Sequence, residues 1–264
     1  MRALCFTVDL DRDVNLKIPG RTAAGSIDRG SGTEPRFSSS EKGLSVLIDL
    51  LDEIGMKATF FAEAATLRNI GASLLSGHEV GIHGVDHEDF TLLETPEDKI
   101  AVLEEASNTV RDAVGIRPCS FWAPYMSVDE ETLRLLPKLG IVADSSAYRE
   151  ISSSFMPEKL ECSVWEIPVP EGRDRLGKKI SAYLWPMHES KRSPDNYIEM
   201  ASLMEEGVFT IATHTWHMVE SRETGMMSEK DIDKNVRNVR AVLENIADMG
   251  MKPLSISEVA KAME

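Results

Sequence analysis

Cysteine is scarce in this chain of 264 residues, and its scarcity excludes one class of protein. The three cysteines, Cys5, Cys119 and Cys162, are far apart and odd in number, and they form no Cys-x-x-Cys pair. We therefore expect no disulfide framework, and the pattern is typical of reduced thiols in a cytosolic protein.

Positive charge is also in short supply. The chain has 29 lysines and arginines against 44 aspartates and glutamates, which gives a formal net charge of -15. A surface of this sign repels nucleic acid and anionic lipid, so neither is expected as a partner.

Long apolar runs are absent as well. The first run ends at Asp9 and is too short for the apolar part of a signal peptide, and no segment approaches the ~20 apolar residues that span a bilayer. The expectation is a cytoplasmic protein without a membrane-spanning segment. The length suits one α/β barrel, so residues 1–264 are interpreted as a single domain.

Strand patterns and helix patterns alternate along the chain. Residues 3–8 form an apolar run typical of a buried strand. Apolar residues at helical spacing follow between 41 and 54, with Ser40 as the candidate N-cap and Gly55 closing the helix. Two segments lack any period and are predicted to be long loops, at residues 14–40 and 171–192, and residues 147–163 are predicted to be irregular. The first loop carries Arg21, Arg29 and Arg36, which are candidates to meet an anionic or sugar-like substrate or are solvated charges.

Two carboxylates follow the first strand directly. Alternation places Asp9 and Asp11 on the same side of an extended backbone, at the strand end where ligands bind in parallel α/β folds. This arrangement suits a metal ligand and a base. The alternative is an acidic turn that water solvates.

Two histidines, His83 and His87, stand four residues apart after a short apolar segment. Two imidazoles at this spacing can turn to one side of the backbone, and neutral imidazole is a standard ligand for zinc and related metals. A pair rarely completes a site, so a carboxylate is expected from elsewhere.

Several local patterns, taken in order, resemble the polysaccharide deacetylases of carbohydrate esterase family four, the NodB-homology group. The matching segments cover residues 3 to about 220, and the histidine block is the most specific of them. They are Phe6-Thr7-Val8-Asp9, Lys57-Ala58-Thr59-Phe60-Phe61, Gly77-His78-Glu79-Val80-Gly81-Ile82-His83 with His87, Phe121-Trp122-Ala123-Pro124-Tyr125, Asp144-Ser145-Ser146, Trp165-Glu166-Ile167-Pro168 and Ala212-Thr213-His214.

The resemblance implies an α/β fold, a distorted (β/α) barrel of about seven parallel strands. It also implies a divalent metal, Zn2+ or else Co2+, Ni2+ or Mn2+, held by two histidines and an aspartate. By the match, His83, His87 and Asp11 are the ligands and Asp9 is the general base that activates the attacking water, although Asp9 and Asp11 could exchange roles. Such a metal polarises a carbonyl and acidifies water, which suits hydrolysis at neutral pH.

The remaining family positions fall on three residues. His214 maps to the general acid that protonates the leaving amine, and His217 lies close enough to be mistaken for it. The backbone N–H of Tyr125 maps to the oxyanion donor. His78 is interpreted as structural, and His188 has no assigned role.

The sequence departs from the family pattern twice. Leu10 separates the two carboxylates, an Asp-x-Asp form that resembles the peptidoglycan-deacetylase-like and allantoinase-like branch. Trp122 stands where the family usually carries an arginine beside the base, so Arg12 or an arginine of the first loop is a candidate substitute. Trp122 itself is interpreted as either a core aromatic or a residue that stacks on substrate.

These residues lead to three functional hypotheses. The first is metal-dependent hydrolysis of a non-peptide C–N bond, most simply N-deacetylation of an acetylated amino sugar or a related small carbohydrate. The second is hydrolysis of a cyclic amide or ureide, as in the allantoinase-like branch. The third is a catalytically impaired barrel that binds a carbohydrate or metabolite. A homo-oligomer is left open by the sequence.

Overall fold

The fold is built on one curled sheet of mainly parallel strands. The structure is a computed structural model, and it describes residues 1–12 and 37–264. The strands of the described residues are β1 (Arg2–Leu10), β2 (Thr59–Ala62), β3 (Glu79–Ile82), β4 (Ser120–Phe121), β5 (Ala143–Asp144), β6 (Tyr148–Glu150), β7 (Ser154–Phe155), β8 (Glu158–Lys159), β9 (Trp165–Glu166), β10 (Val169–Arg173), β11 (Lys179–Ser181), β12 (Glu206–His214), β13 (Glu220–Ser221), β14 (Gly225–Met226) and β15 (Lys252–Pro253).

The main sheet runs in the order β7-β12-β1-β2-β3-β4-β5-β9-β8, and β15 pairs with β1. The seven strands from β12 to β9 are all parallel, and β8 is antiparallel to β9. Two small sheets, β11-β10-β6 and β13-β14, lie beside it. The expected distorted barrel of about seven parallel strands is confirmed.

Helices connect the strands and cover the sheet. They are α1 (Ser38–Ile54), α2 (Ala64–Ile70), α3 (Pro96–Val114), α4 (Glu130–Leu135), α5 (Trp185–His188), α6 (Pro194–Ser202), α7 (Glu229–Asp248) and α8 (Ile256–Ala262). Short polar signals set their starts. Thr95 accepts a hydrogen bond from the backbone N–H of Asp98, with Pro96 in the first turn, and Ser228 accepts one from Asp231.

The start of α1 is earlier than the sequence suggested. The helix begins at Ser38 with Phe37 as its cap, whereas Ser40 was expected to cap it. Ser40 instead donates its hydroxyl to the carbonyl of Asp11, which ties the helix to the end of β1. The rest of the predicted first loop, with Arg21, Arg29 and Arg36, lies outside the described residues.

A glycine in α1 brings the helix against the segment that follows β12. A Cβ atom on Gly43 would lie 1.9 Å from the carbonyl oxygen of Thr215. No other residue could take this position without moving the helix away from Thr215 and Trp216, next to His214.

Two predicted irregular regions are in fact structured, and those predictions are wrong. Residues 147–163 contain β6, β7 and β8, and residues 171–192 contain most of the β10-β11 hairpin and α5. These strands are only two to five residues long. β6 and β7 pair with distant strands, and β8, β10 and β11 are too short to leave a local period in the sequence.

The core explains the apolar run at the start of the chain. Residues 3–10 of β1 are all buried, as expected for the central strand of a sheet covered on both faces. Within the described residues, no helix is both long enough and apolar enough to cross a membrane.

Candidate active site

The predicted chemistry-bearing residues meet at the carboxyl ends of the parallel strands. Asp9 lies in β1 directly opposite His214 of β12 in the strand register. His83 follows β3, and Trp122 follows β4. Because the strands are parallel, the residues that end them share one edge of the barrel.

Asp11, His83 and His87 form a compact buried group. One potential ligand atom from each lies within 4.8 Å of the others. The sequence expectation for the ligand set and the geometry agree on these three residues.

The two histidines are held by different contacts. Nδ1 of His83 lies 2.8 Å from the carbonyl oxygen of Trp122, so this nitrogen carries the proton and Nε2 is left as an acceptor. His87 has a φ of 58°, a left-handed conformation that is uncommon for a residue with a side chain. Its ring packs edge-on against Tyr125 with 4.6 Å between centroids.

The loop before His87 is shaped by an acidic side chain. Glu88 accepts hydrogen bonds from the backbone N–H groups of Val85 and Asp86, each at 2.9 Å. These two bonds close the turn that brings His87 back toward His83, whose ring centroid is 5.1 Å away.

Unsatisfied polar atoms within this group fit a cation. Among the described residues, Oδ2 of Asp11, Nε2 of His83 and both ring nitrogens of His87 are buried and have no hydrogen-bond partner. Buried polar atoms rarely remain unpaired, and a carboxylate with two imidazoles is the donor set of a zinc-type site. The residues present therefore fit the metal that the family resemblance implies.

The ionisation of these side chains suits the same occupant. Burial lowers the pKa of His83 to about 3 and that of His87 well below its usual value, so both rings are neutral, the form that binds metal. Burial raises the pKa of Asp11, and a divalent cation beside its carboxylate would oppose that rise.

A second group adjoins the first. The hydroxyl of Tyr183 donates to Oδ2 of Asp9 and lies 2.9 Å from Nε2 of His214. Nδ1 of His214 lies 3.1 Å from Oδ1 of Asp11 and 3.7 Å from Oδ2 of Asp9. Oδ1 of Asp9 has no hydrogen-bond partner.

Burial reverses the usual order of the pKa values of Asp9 and His214. It raises the pKa of Asp9 to about 7, against the opposing effects of His214 and the Tyr183 hydroxyl. It lowers the pKa of His214 to about 4, while the Asp9 carboxylate opposes that change. A carboxyl group that titrates near neutral pH has the property that a general base requires.

The arginine missing from the third motif is not replaced by Arg12. The Arg12 guanidinium pairs with Glu63 at 2.9 Å and with Asp86. The hydrogen bond that Asp9 receives comes instead from Tyr183, in the region that was predicted to be a loop. No local sequence pattern marks Tyr183, because its strand pairing within the described residues is an isolated bridge to Ala212.

The other three histidines each bond to a protein group. His188 bonds to the Thr213 hydroxyl at 2.9 Å, and His217 bonds to Glu189 at 2.7 Å. His78 accepts a hydrogen bond from the backbone of Ala58, which agrees with a structural role.

A cleft of about 280 Å³ opens onto both groups. Its walls are largely aromatic, and Arg222 adds a cation. The residues that line it are Asp9, His83, His87, Trp122, Tyr125, Met126, Tyr148, Tyr183, Trp185, His214, Trp216, His217 and Arg222. A larger groove, of about 660 Å³, lies at the amino ends of the strands and contains none of the predicted catalytic or metal-binding residues.

Trp122 and Tyr125 both face this cleft. The Trp122 ring is 1 % exposed and packs against Phe61 and Tyr183, so it is a core aromatic and a wall of the cleft at once. Tyr125 has a φ of 60°, and Met126 beside it has a φ of 55°. Two consecutive left-handed residues make a strained turn of the kind found at functional sites.

Comparison with known proteins agrees with the fold and with the sequence resemblance. The polysaccharide deacetylase family model matches residues 19–143. Peptidoglycan deacetylase-like protein FGM2 of Gibberella zeae is 31% identical over 163 residues, which cover 56% of this chain and 48% of that protein. This chain thus matches about half the length of that relative.

Solved structures extend the likeness to nearly the whole chain. Puue Allantoinase has a TM-score of 0.64 at 14% identity, covering 98% of this chain and 89% of that one. A peptidoglycan N-acetylglucosamine deacetylase has a TM-score of 0.56 at 13% identity, covering 97% and 87%. At these identities the likeness defines the fold alone.

The curled parallel sheet is the NodB-type fold that the motifs implied, and an aspartate and two histidines are grouped at its carboxyl edge. Over residues 19–143 the chain is similar to the polysaccharide deacetylase family.

Proposed function

We propose that this protein is a metal-dependent hydrolase that removes the N-acetyl group from an acetylated amino sugar or a related small carbohydrate. The observation that carries the proposal is the unpartnered donor set of Asp11, His83 and His87 directly beside Asp9 and His214. The family and its deacetylase relatives support the same reaction class.

In this proposal Asp11, His83 and His87 hold a divalent cation, with Zn2+ as the first choice and Co2+, Ni2+ or Mn2+ as alternatives. When bound, the cation supplies Lewis acidity, which polarises the acyl carbonyl and acidifies water.

Asp9 and His214 transfer the protons in this proposal. Asp9 accepts the proton of the attacking water at Oδ1, the oxygen without a partner, while Tyr183 holds Oδ2 in place. His214 then protonates the departing nitrogen. The Asp9 and Asp11 carboxylates, at 3.7 and 3.1 Å from Nδ1, favour the charged ring that this step requires.

The cleft walls position the substrate in this proposal. Trp122 provides a flat apolar wall beside the acyl group, and the backbone N–H of Tyr125 donates to the developing oxyanion. The packing of Tyr125 against His87, one of the proposed ligands, supports this role.

Two substitutions test the assignment of ligand and base. We expect His83→Ala to lower both metal content and turnover, and Asp9→Asn to keep the metal while turnover falls by about 10²- to 10⁴-fold. The matched control is His78→Ala, which removes a histidine outside the cleft. Metal analysis that finds no bound divalent ion after reconstitution would contradict the proposal.

The size of the cleft favours a second candidate, hydrolysis of a cyclic amide or ureide. At about 280 Å³ it is at the small end of ligand pockets and is nearer to one ring than to a polymer. Assays with N-acetylated sugars and chitin oligomers, run beside ureides and cyclic imides, separate the two candidates.

A further inference from the structure

Two cationic side chains lie over the ring of one tryptophan at the edge of the cleft. The guanidinium carbon of Arg222 lies 5.3 Å from the centroid of the Trp185 ring, and Nζ of Lys191 lies 5.5 Å from it. Both Trp185 and Arg222 line the same cleft as Asp9 and His214. Positive charge is therefore concentrated beside the proposed reaction centre.

The two cations differ in their partners. Lys191 forms an ion pair with Glu223, whereas no carboxylate of the described residues pairs with the Arg222 guanidinium. The backbone N–H of Arg222 donates to Glu189 at 2.6 Å, so the residue is anchored by its main chain while its charge stays unpaired. In a chain with 44 acidic and 29 basic residues, a half-buried arginine without a carboxylate partner is unexpected.

A basic groove continues from the cleft on the far side of Trp185. It has a volume of about 740 Å³ and shares Tyr148 and Trp185 with the cleft, and its cationic side chains are Lys178, Lys179, Lys191 and Arg192.

Three of those four side chains pair with carboxylates. Lys179 pairs with Glu171 at 2.7 Å, Arg192 pairs with Asp174 at 3.1 Å, and Lys191 pairs with Glu223. Lys178 forms no ion pair with a carboxylate of the described residues. The groove therefore adds one cation without a carboxylate partner, Lys178, to the charge of Arg222 beside the cleft.

We propose that the substrate carries an oxyanion, a phosphate or a carboxylate, in addition to its acylated nitrogen, and that Arg222 binds this group. The inference rests on the proposed hydrolysis and narrows its substrate class to anionic acylamino sugars. Trp185 supports the guanidinium on one face and leaves its donor edge available for a two-pronged contact with the oxyanion. The groove accommodates the part of the substrate that continues beyond the oxyanion.

Binding of reaction products tests the inference without turnover. Glucosamine and glucosamine 6-phosphate would be titrated into the metal-loaded protein by calorimetry. We expect the phosphate to bind at least about tenfold more tightly, and Arg222→Gln to lose about that factor.

The matched control for that variant is Arg111→Gln. It removes one exposed arginine charge on α3, where Arg111 contacts Asp112 outside the cleft, and should leave the preference intact. Equal binding of the two ligands, or a preference that survives Arg222→Gln, would overturn the inference.

Steady-state kinetics provide a second test of the inference. N-acetylglucosamine, its 6-phosphate and N-acetylmuramic acid would be compared. A KM that is lowest for the phosphate or for the carboxylate, and that rises selectively in Arg222→Gln, supports the inference and identifies the anion.

The two proposals fail in different ways. Arg222-dependent binding without hydrolysis of any substrate overturns the proposed reaction alone. Hydrolysis without an Arg222-dependent preference for the anionic substrates overturns this inference alone.

Discussion

The hydroxyl of Tyr183 is the contact that best tests how this site is organised. It donates to Oδ2 of Asp9 and lies 2.9 Å from Nε2 of His214. Tyr183→Phe removes only that oxygen and leaves a ring of the same shape against Trp122. Because Oδ1 of Asp9 already lacks a partner, the variant leaves the buried Asp9 carboxylate without any hydrogen-bond donor from a side chain.

The size of the effect follows from the loss of one hydrogen bond to a charged group. Such a bond contributes about 1.5–3 kcal/mol, and one pKa unit corresponds to about 1.4 kcal/mol. The Tyr183 hydroxyl lowers the pKa of Asp9, which burial has raised to about 7. Its removal should therefore raise that pKa further, by about one to two units.

The assay is the pH dependence of kcat/KM for the metal-loaded enzyme. Activity on the acidic side of the profile should therefore fall, because a smaller fraction of Asp9 is ionised there, while activity on the alkaline side is retained. The acidic limb of the profile should shift to higher pH by the same one to two units.

A matched tyrosine serves as the control. Tyr197→Phe removes a hydroxyl that donates to the carbonyl of Tyr183 at 3.1 Å and touches neither Asp9 nor His214. Its profile should keep the wild-type position. An unshifted acidic limb in Tyr183→Phe, or a loss of equal size at every pH, would refute the reasoning.

Three further predictions concern the acid, a buried carboxyl pair and the helix beside the site. His214→Ala should lower kcat on an amide substrate by about 10²- to 10⁴-fold and have far less effect on an activated aryl ester, whose leaving group needs no proton; equal losses would contradict the role. Burial and the neighbouring Asp144 raise the pKa of Glu166 well above its usual value, so the folded protein keeps a proton that the unfolded chain releases above about pH 4.5. The free energy of unfolding of the metal-free protein should therefore fall as pH rises, by up to about 1.4 kcal/mol per pH unit from this group. In urea unfolding between pH 5 and 8, Glu166→Gln should show a shallower fall than the wild type. Parallel curves for the two proteins would contradict the prediction. Gly43→Ala should destabilise by about 1–3 kcal/mol because its Cβ would meet the Thr215 carbonyl, although alanine normally stabilises a helix, and a raised Tm would be the contrary result.

Local sequence patterns were enough to predict the first strand and the carboxylate and histidine pairs of this site. The apolar run of β1 fixed a buried strand, and the alternation along it placed Asp9 and Asp11 on one side. The spacing of His83 and His87 indicated a metal site. Each of these signals lies within a few residues, so it can be recognised without knowing where the rest of the chain folds.

The groups that complete the site come from elsewhere in the chain. Tyr183 is 174 positions from Asp9, and it reaches that carboxylate only because its segment pairs with β12 at Ala212. The basic segment around it was predicted to be a loop, since strands of two to five residues leave no periodic signal. The position of Arg222 over Trp185 could not be predicted either, because it depends on the turn between β13 and β14.

The sequence by itself determined the parallel barrel, the pair of carboxylates at the tip of β1 and the histidine pair, because these depend on local patterning and on residue chemistry. The tertiary structure decided that the Tyr183 hydroxyl bonds to Asp9, and that Arg222 lies beside the cleft without a carboxylate partner among the described residues. Those outcomes depend on which distant segments pack together, and packing sets the distances and burial on which hydrogen bonds and pKa values depend.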